Sequence, residues 1–146
     1  MPKKIKILFL CTGNSCRSQM AEAWARFLKN DSIKAYSAGI TAHGLNPDAI
    51  TVMQESGLNC SGWRSKTTTE LPPEITFDYV ITLCDNASQS CPFFPATTAL
   101  IHKGFDDPPQ LARQATNERE RLAPYRRVRD ELKTFILSLP ESLPKL

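Results

Sequence analysis

The chain has 146 residues, 41% of them hydrophobic and 23% charged, with a net charge of +3 from 18 Lys+Arg against 15 Asp+Glu. That length suits one globular domain spanning residues 1–146, and the composition excludes a disordered chain and a membrane bundle. The charge excess is too small and too dispersed to imply nucleic-acid binding; Lys3-Lys4-Ile5-Lys6 runs into an apolar segment and reads as the solvated start of a strand rather than a phosphate-binding tail.

Residues 5–10 are almost continuously apolar, which predicts a strand buried on both faces of a parallel sheet. The run is too short for a signal-peptide core or a bilayer span, so a cytoplasmic protein with no membrane association is expected. Residues 19–29 place Met20, Ala21, Ala23, Trp24, Phe27 and Leu28 at helical spacing, with Trp24 and Phe27 on the core face. A second strand is predicted over 32–37. A helix follows from Pro47, its face marked by Ala49, Ile50 and Met53 and its end by Gly57. Residues 60–74 read as a connector. Strands follow at 78–83 and 99–103, then a turn at 106–109 with Asp106 as the turn residue. Residues 116–121 read as a charged insertion or short helix. The last helix is predicted over 124–139, with Tyr125, Val128, Leu132, Phe135 and Ile136 inward and Arg126, Arg127 and Arg129 toward solvent. Strands alternating with helices predict a three-layer α/β domain, whose ligand site lies at the carboxyl ends of the strands.

The five cysteines are Cys11, Cys16, Cys60, Cys84 and Cys91. An odd count without a secretory signal argues against a disulfide framework. With no C-x-x-C pair, and with His43 and His102 far from the cysteines in sequence, no metal site and no cofactor are expected. Reactive cysteine chemistry or inert buried thiols remain.

Cys11-Thr12-Gly13-Asn14-Ser15-Cys16-Arg17-Ser18 fits C-x5-R-S between a strand and a helix. This arrangement favours a bound oxyanion. Gly13 and Asn14 tolerate left-handed backbone, so successive amides of residues 12–17 can turn inward as a nest. The following helix adds its positive end, and Arg17 offers a two-pronged fork for anion oxygens. The same groups favour a thiolate at Cys11. The Ser18 hydroxyl can donate to that thiolate, and Asn14 can hold the loop backbone through its side chain. Asp107, before Pro108, is the candidate general acid; the plainer role for it is a turn residue.

These residues, together with SAG at 37–39, HGLNPDAI at 43–50, VITLCDNASQSCP at 80–92, GFDDP at 104–108 and YRRVRDEL at 125–132, resemble the low-molecular-weight protein tyrosine phosphatase superfamily. Within it they resemble the thioredoxin-coupled arsenate reductases. The resemblance implies a flavodoxin-like fold with a four-stranded parallel sheet in the order 2-1-3-4 and helices on both faces. It implies that Cys11 attacks arsenate and that Arg17 and the loop residues Thr12, Gly13, Asn14, Ser15 and Cys16 hold the oxyanion. It further implies that Cys84 attacks the adduct and releases arsenite. Cys91 then opens the Cys11–Cys84 bond, and thioredoxin reduces the resulting Cys84–Cys91 disulfide. Arsenate is the implied substrate, phosphate and sulfate competing anions, and a monomer the expected state.

The spacing adds a physical constraint. A continuous helix from 84 to 91 would separate the two α-carbons by about 10.5 Å, whereas a disulfide tolerates about 7 Å. That segment must therefore be non-helical or unwind on oxidation.

Two departures from the family pattern are visible. Pro109-Gln110 stands where phosphatases of this fold carry aromatic residues, which weakens the phosphatase alternative. Some of the reductases bind potassium beside the loop through residues matching Asn14 and Ser37 and through a Thr and an Asp. Here Arg64 and Lys66 stand at the latter two positions, so no potassium site is expected and the Lys66 ammonium is a candidate stand-in. Cys16 reads as a packed loop thiol, with a protective disulfide to Cys11 as the alternative. Cys60 reads as a core or surface thiol, and His43 receives no chemistry. An oxyanion-binding or thiol-sensing regulator is a further alternative, against which Arg17, Ser18 and Asp107 together argue, since pure binding needs no general acid; a phosphocysteine carrier is another, and it would not need the Cys84/Cys91 pair.

Overall fold

The computed structural model describes residues 3–84 and 97–145. Its elements are β1 (Ile5–Cys11), α1 (Arg17–Leu28), β2 (Ile33–Gly39), α2 (Pro47–Glu55), β3 (Tyr79–Thr82), β4 (Ala99–His102), the single turn α3 (Pro108–Leu111) and α4 (Glu118–Leu137). The four strands form one parallel sheet in the order β2-β1-β3-β4, as expected. β1 is central, and Ile7 through Leu10 are fully buried, which explains their unbroken apolar run.

Alternate residues of β1 serve two cores. Ile7 and Phe9 join a cluster with Met20 and Trp24 of α1, Val52 and Met53 of α2, and Val128, Leu132 and Ile136 of α4. Leu8, Leu10 and Cys11 face the other way, packing with Ala38, Phe77, Val80 and Cys84 under the partly buried Tyr36, Ile40, Leu71 and Ile75. Cys11 and Cys84 thus belong to the same apolar cluster. The register sets Cys11 beside Gly39 and Leu10 beside Thr82, which brings the carboxyl ends of β1, β2 and β3 together.

The last helix differs from its expected start. It begins at Glu118 and carries Pro124 in its interior. Proline removes one helical N–H, but the first turn is closed by its cap: Asn117 Oδ1 accepts from Glu120 N at 2.8 Å, and the Glu120 carboxylate accepts from Thr116 N at 2.9 Å. Phe27, expected in the core, is 60% exposed, its ring T-shaped to that of Trp24 at 6.3 Å between centroids. Arg129 does not face solvent. Its guanidinium reaches inward to Val52 O and to Glu55, each at 3.0 Å, while its own carbonyl receives Trp24 Nε1 at 3.0 Å.

Candidate active site

The loop between β1 and α1 is held from outside through its carbonyls. Ile40 N donates to Cys11 O (3.1 Å), Thr41 N to Thr12 O (2.9 Å), His43 N to Gly13 O (3.0 Å) and Asn46 N to Ser15 O (3.2 Å). Gln19 Nε2 donates to Asn14 O (3.1 Å), and Ser65 Oγ adds a second donor on Gly13 O (3.1 Å). Five successive carbonyls are therefore turned outward. In a trans peptide the next N–H points opposite to the carbonyl, so the amides of residues 12 to 16 turn toward the loop interior. This is the geometry of an anion nest, and the α1 N-terminus lies at its end.

Asn14 alone among these residues has left-handed backbone, with φ of 48°. The expectation of a left-handed Gly13 is not met. Gly13 is required for space: an added Cβ would lie 2.4 Å from His43 Nδ1. Asn14 is fully buried and its side chain is fully used. Oδ1 accepts from Lys66 N (2.9 Å) and Gln19 Nε2 (3.1 Å), and Nδ2 donates to Ser18 Oγ (2.8 Å). Ser18 Oγ lies 2.8 Å from Cys11 Sγ. Because Ser18 Oγ already accepts from Asn14, its own proton is directed at the Cys11 sulfur.

Arg17 Nη1 donates to Phe105 O (2.9 Å), and Nη2 lies 3.4 Å from Asp107 Oδ1. Arg17 is largely buried, whereas Asp107 is 38% exposed. Asp107 precedes α3, with Pro108 at the first helical position. Its neighbour Asp106, expected to serve only the turn, is ion-paired to Arg127 at 2.9 Å and ties this loop to α4.

Cys84, at the end of β3, lies 3.2 Å from Thr12 Oγ1, the residue next to Cys11. Cys91 and the constraint on 84–91 fall outside the described residues. Cys16 is packed against Met20 at 3.7 Å. Burial and the neighbouring Cys11 hold its thiol well above the ordinary range, which suits an inert thiol. Burial raises the Cys60 thiol as well.

The two positions that the family resemblance offers to a potassium ion are both engaged. Asn14 Oδ1 carries the donors given above, and Ser37 Oγ donates to Glu22 Oε1 at 2.5 Å. Lys66 Nζ stands 3.9 Å from the same Glu22 oxygen and 3.3 Å from Arg64 O. Burial lowers the Lys66 pKa, while Glu22 opposes that shift. These residues do not suit a further monovalent cation, since an ammonium already faces the carboxylate. Among the described residues no cluster of three His, Cys, Asp or Glu side chains could hold a metal, and no helix is long and apolar enough to cross a membrane.

Sequence reasoning missed the segment 40–46, with Thr41 and His43, and the supporting roles of Gln19 and Ser65. The available signal was the loop itself: carbonyls turned out from a nest require donors outside it.

The architecture and this loop define a class. Residues 6–146 match the model of the low molecular weight phosphotyrosine protein phosphatase family, and the chain belongs to that family. Its relatives include an arsenate reductase from Bacillus licheniformis, 48% identical over 134 residues, covering 90% of this chain and 91% of the relative. Among solved structures, an arsenate reductase in the phosphate binding state superposes with a TM-score of 0.72 at 29% identity, covering 92% of this chain and 95% of that one. An arginine phosphatase from Geobacillus stearothermophilus gives a TM-score of 0.70 at 27% identity, covering 95% and 92%.

Proposed function

We propose that the protein reduces arsenate to arsenite, with Cys11 as nucleophile and thioredoxin as electron donor. The observation that carries this reading is the second thiol. Cys84 sits on Thr12 and in the same apolar cluster as Cys11, a position that a hydrolase has no use for. Identity of 48% to an arsenate reductase supports it.

In this mechanism the inward amides and the Arg17 fork hold arsenate against Cys11. The Cys11 thiolate, kept reactive by the Ser18 hydroxyl, forms a sulfur–arsenic bond. Asp107 donates a proton to the departing oxygen, which leaves as water. Cys84 then attacks Cys11 Sγ. A sulfur–sulfur bond forms, the sulfur–arsenic electron pair passes to arsenic, and arsenite leaves. Cys91 attacks Cys84, releases Cys11 as thiolate and leaves a Cys84–Cys91 disulfide, which thioredoxin reduces with two electrons. Such a relay needs a reducing compartment, which places the protein in the cytoplasm, and it needs only one copy of the chain.

Arsenate-dependent NADPH consumption with thioredoxin and thioredoxin reductase tests the proposal. The parent is expected to turn over many times and Cys91→Ser at most once. A second reading, phosphomonoester hydrolysis, is favoured by the family and by the Arg17–Asp107 pair, which serve phosphate equally well. Brisk aryl phosphate hydrolysis without arsenate-dependent NADPH consumption would establish it instead.

A further inference from the structure

The oxyanion reading leaves the side chains of His43 and Thr41 without a role, yet with their backbone amides they make a closed circuit around two peptides of the loop. The His43 backbone N–H donates to Gly13 O at 3.0 Å, and Thr41 N donates to Thr12 O at 2.9 Å. The Thr41 hydroxyl also donates to Thr12 O at 3.3 Å. Thr41 Oγ1 and His43 Nε2 share a hydrogen bond of 2.7 Å, which holds the ring's orientation. The opposite edge of the ring lies against Gly13: an added Cβ there would meet His43 Nδ1 at 2.4 Å, Cγ at 2.8 Å and Cβ at 3.0 Å. The ring cannot swing away cheaply, because its backbone amide and its far nitrogen are both held. Gly13 is not in the left-handed region, so a positive φ is not what calls for glycine there.

We infer that Thr41 and His43 are positioning residues for the oxyanion loop, and that position 13 is glycine because the imidazole occupies the space of its Cβ. The inference deepens the oxyanion reading and rests on it. The clamp fixes the planes of the Thr12–Gly13 and Gly13–Asn14 peptides, whose N–H groups face the bound anion. Misplacing such donors by a fraction of an ångström weakens their hold on the anion. His43 itself touches no substrate.

The clamp is tested by calorimetric titration of the reduced protein with inorganic phosphate, with thermal melts to establish that each variant folds. Gly13→Ala is expected to weaken phosphate binding by about 100-fold, and His43→Ala by about tenfold. His43→Gln, which keeps a hydrogen-bonding group near the Nε2 position, should stay within about threefold of the parent. The decisive protein is Gly13→Ala/His43→Ala. Removing the ring takes away the 2.4 Å and 2.8 Å clashes and leaves the position-43 Cβ, at 3.0 Å, to yield by a few tenths of an ångström, so the double variant should bind phosphate more tightly than Gly13→Ala alone. Simple loss of stability would not produce that recovery. A double variant as weak as Gly13→Ala, or equal affinity with His, Gln and Ala at position 43, overturns the clamp. The His/Gln/Ala comparison decides even if Gly13→Ala fails to fold. Failure of the parent to bind phosphate overturns the oxyanion reading together with the clamp. Phosphate binding by the parent with the wrong variant pattern overturns the clamp alone.

Discussion

Ser18→Ala removes one oxygen from the centre of the loop, and its cost divides into two measurable parts. Ser18 is fully buried, accepts from Asn14 Nδ2 at 2.8 Å and directs its proton at Cys11 Sγ, also at 2.8 Å. The first part is catalytic. A hydrogen bond to a charged group contributes about 1.5–3 kcal/mol, so kcat/KM for arsenate should fall by about 10- to 150-fold. The second part is structural. Asn14 Nδ2 loses its acceptor in a fully buried position, at a cost of about 1–3 kcal/mol. For a chain of this length that lowers Tm by about 3–10 °C. Steady-state arsenate reduction and a thermal melt of the same preparation measure both parts. A variant that keeps kcat/KM within about threefold of the parent refutes the Asn14–Ser18–Cys11 relay. A normal Tm with lost activity refutes only the assignment of Asn14 Nδ2 to Ser18.

Arg17→Lys replaces a fork that reaches Phe105 O and Asp107 with a single point charge; kcat/KM should fall about 100- to 1000-fold, and a loss under tenfold would contradict two-pronged anion binding. Rates in potassium and in sodium chloride at equal ionic strength should superpose, because Lys66 already faces Glu22; a steep rise with potassium alone would contradict this. The Glu55 carboxyl is held below its ordinary value of 4.5 by its hydrogen bonds to Arg126, with Arg129 adding to the effect. A carboxylate with a lowered folded-state pKa stabilises the protein above 4.5 and loses that contribution as pH falls through the folded value. Glu55→Gln should therefore cost about 0.5–1 kcal/mol at pH 7, little because the pair is solvent-screened, and the difference should vanish in acid. Parallel stability curves for the two proteins between pH 7 and pH 3 would refute it.

Legibility followed how locally each feature is encoded. β1 was readable because a strand buried on both faces must be apolar throughout, and the C-x5-R-S loop because its residues are contiguous. The start of α4 was misread because Pro124 looked like a first-turn proline. The competing signal, Asn117 followed three residues later by Glu120, was equally present and is the one the helix uses. Arg129 was misplaced because helical periodicity assigns a face but cannot show that a carbonyl and a carboxylate from α2 await the side chain there. Phe27 failed for the converse reason: it sits at a core-like spacing near the end of α1, past the partners that would cover it. The Thr41–His43 circuit was invisible because its bonds to the loop span 29 to 30 residues of chain and all but the Thr41 hydroxyl's are donated by backbone amides, which carry no sequence signature.

The two chemistries open to this loop part at one bond. After Cys11 has attacked a tetrahedral oxyanion, a hydrolase needs water at the central atom, whereas a reductase needs a thiol at sulfur. Arg17, Asp107 and the inward amides serve either course, so none of them distinguishes the two. The surroundings of Cys11 favour the second course. Its sulfur lies at the edge of an apolar cluster that includes Leu8, Leu10, Phe77 and Cys84, and the Cys84 thiol is anchored to the very next residue of the loop. On the proposed reading Cys84 is the nucleophile for sulfur, held in the protein wall, while a nucleophile for arsenic or phosphorus would have to come from solvent. Moving that one thiol, by Cys84→Ser, should leave the first step intact and stop arsenite release. Protein-bound arsenic at about one equivalent, measured by mass spectrometry after rapid quenching, is the expected result. Steady arsenite release from the variant would remove Cys84 from the reaction.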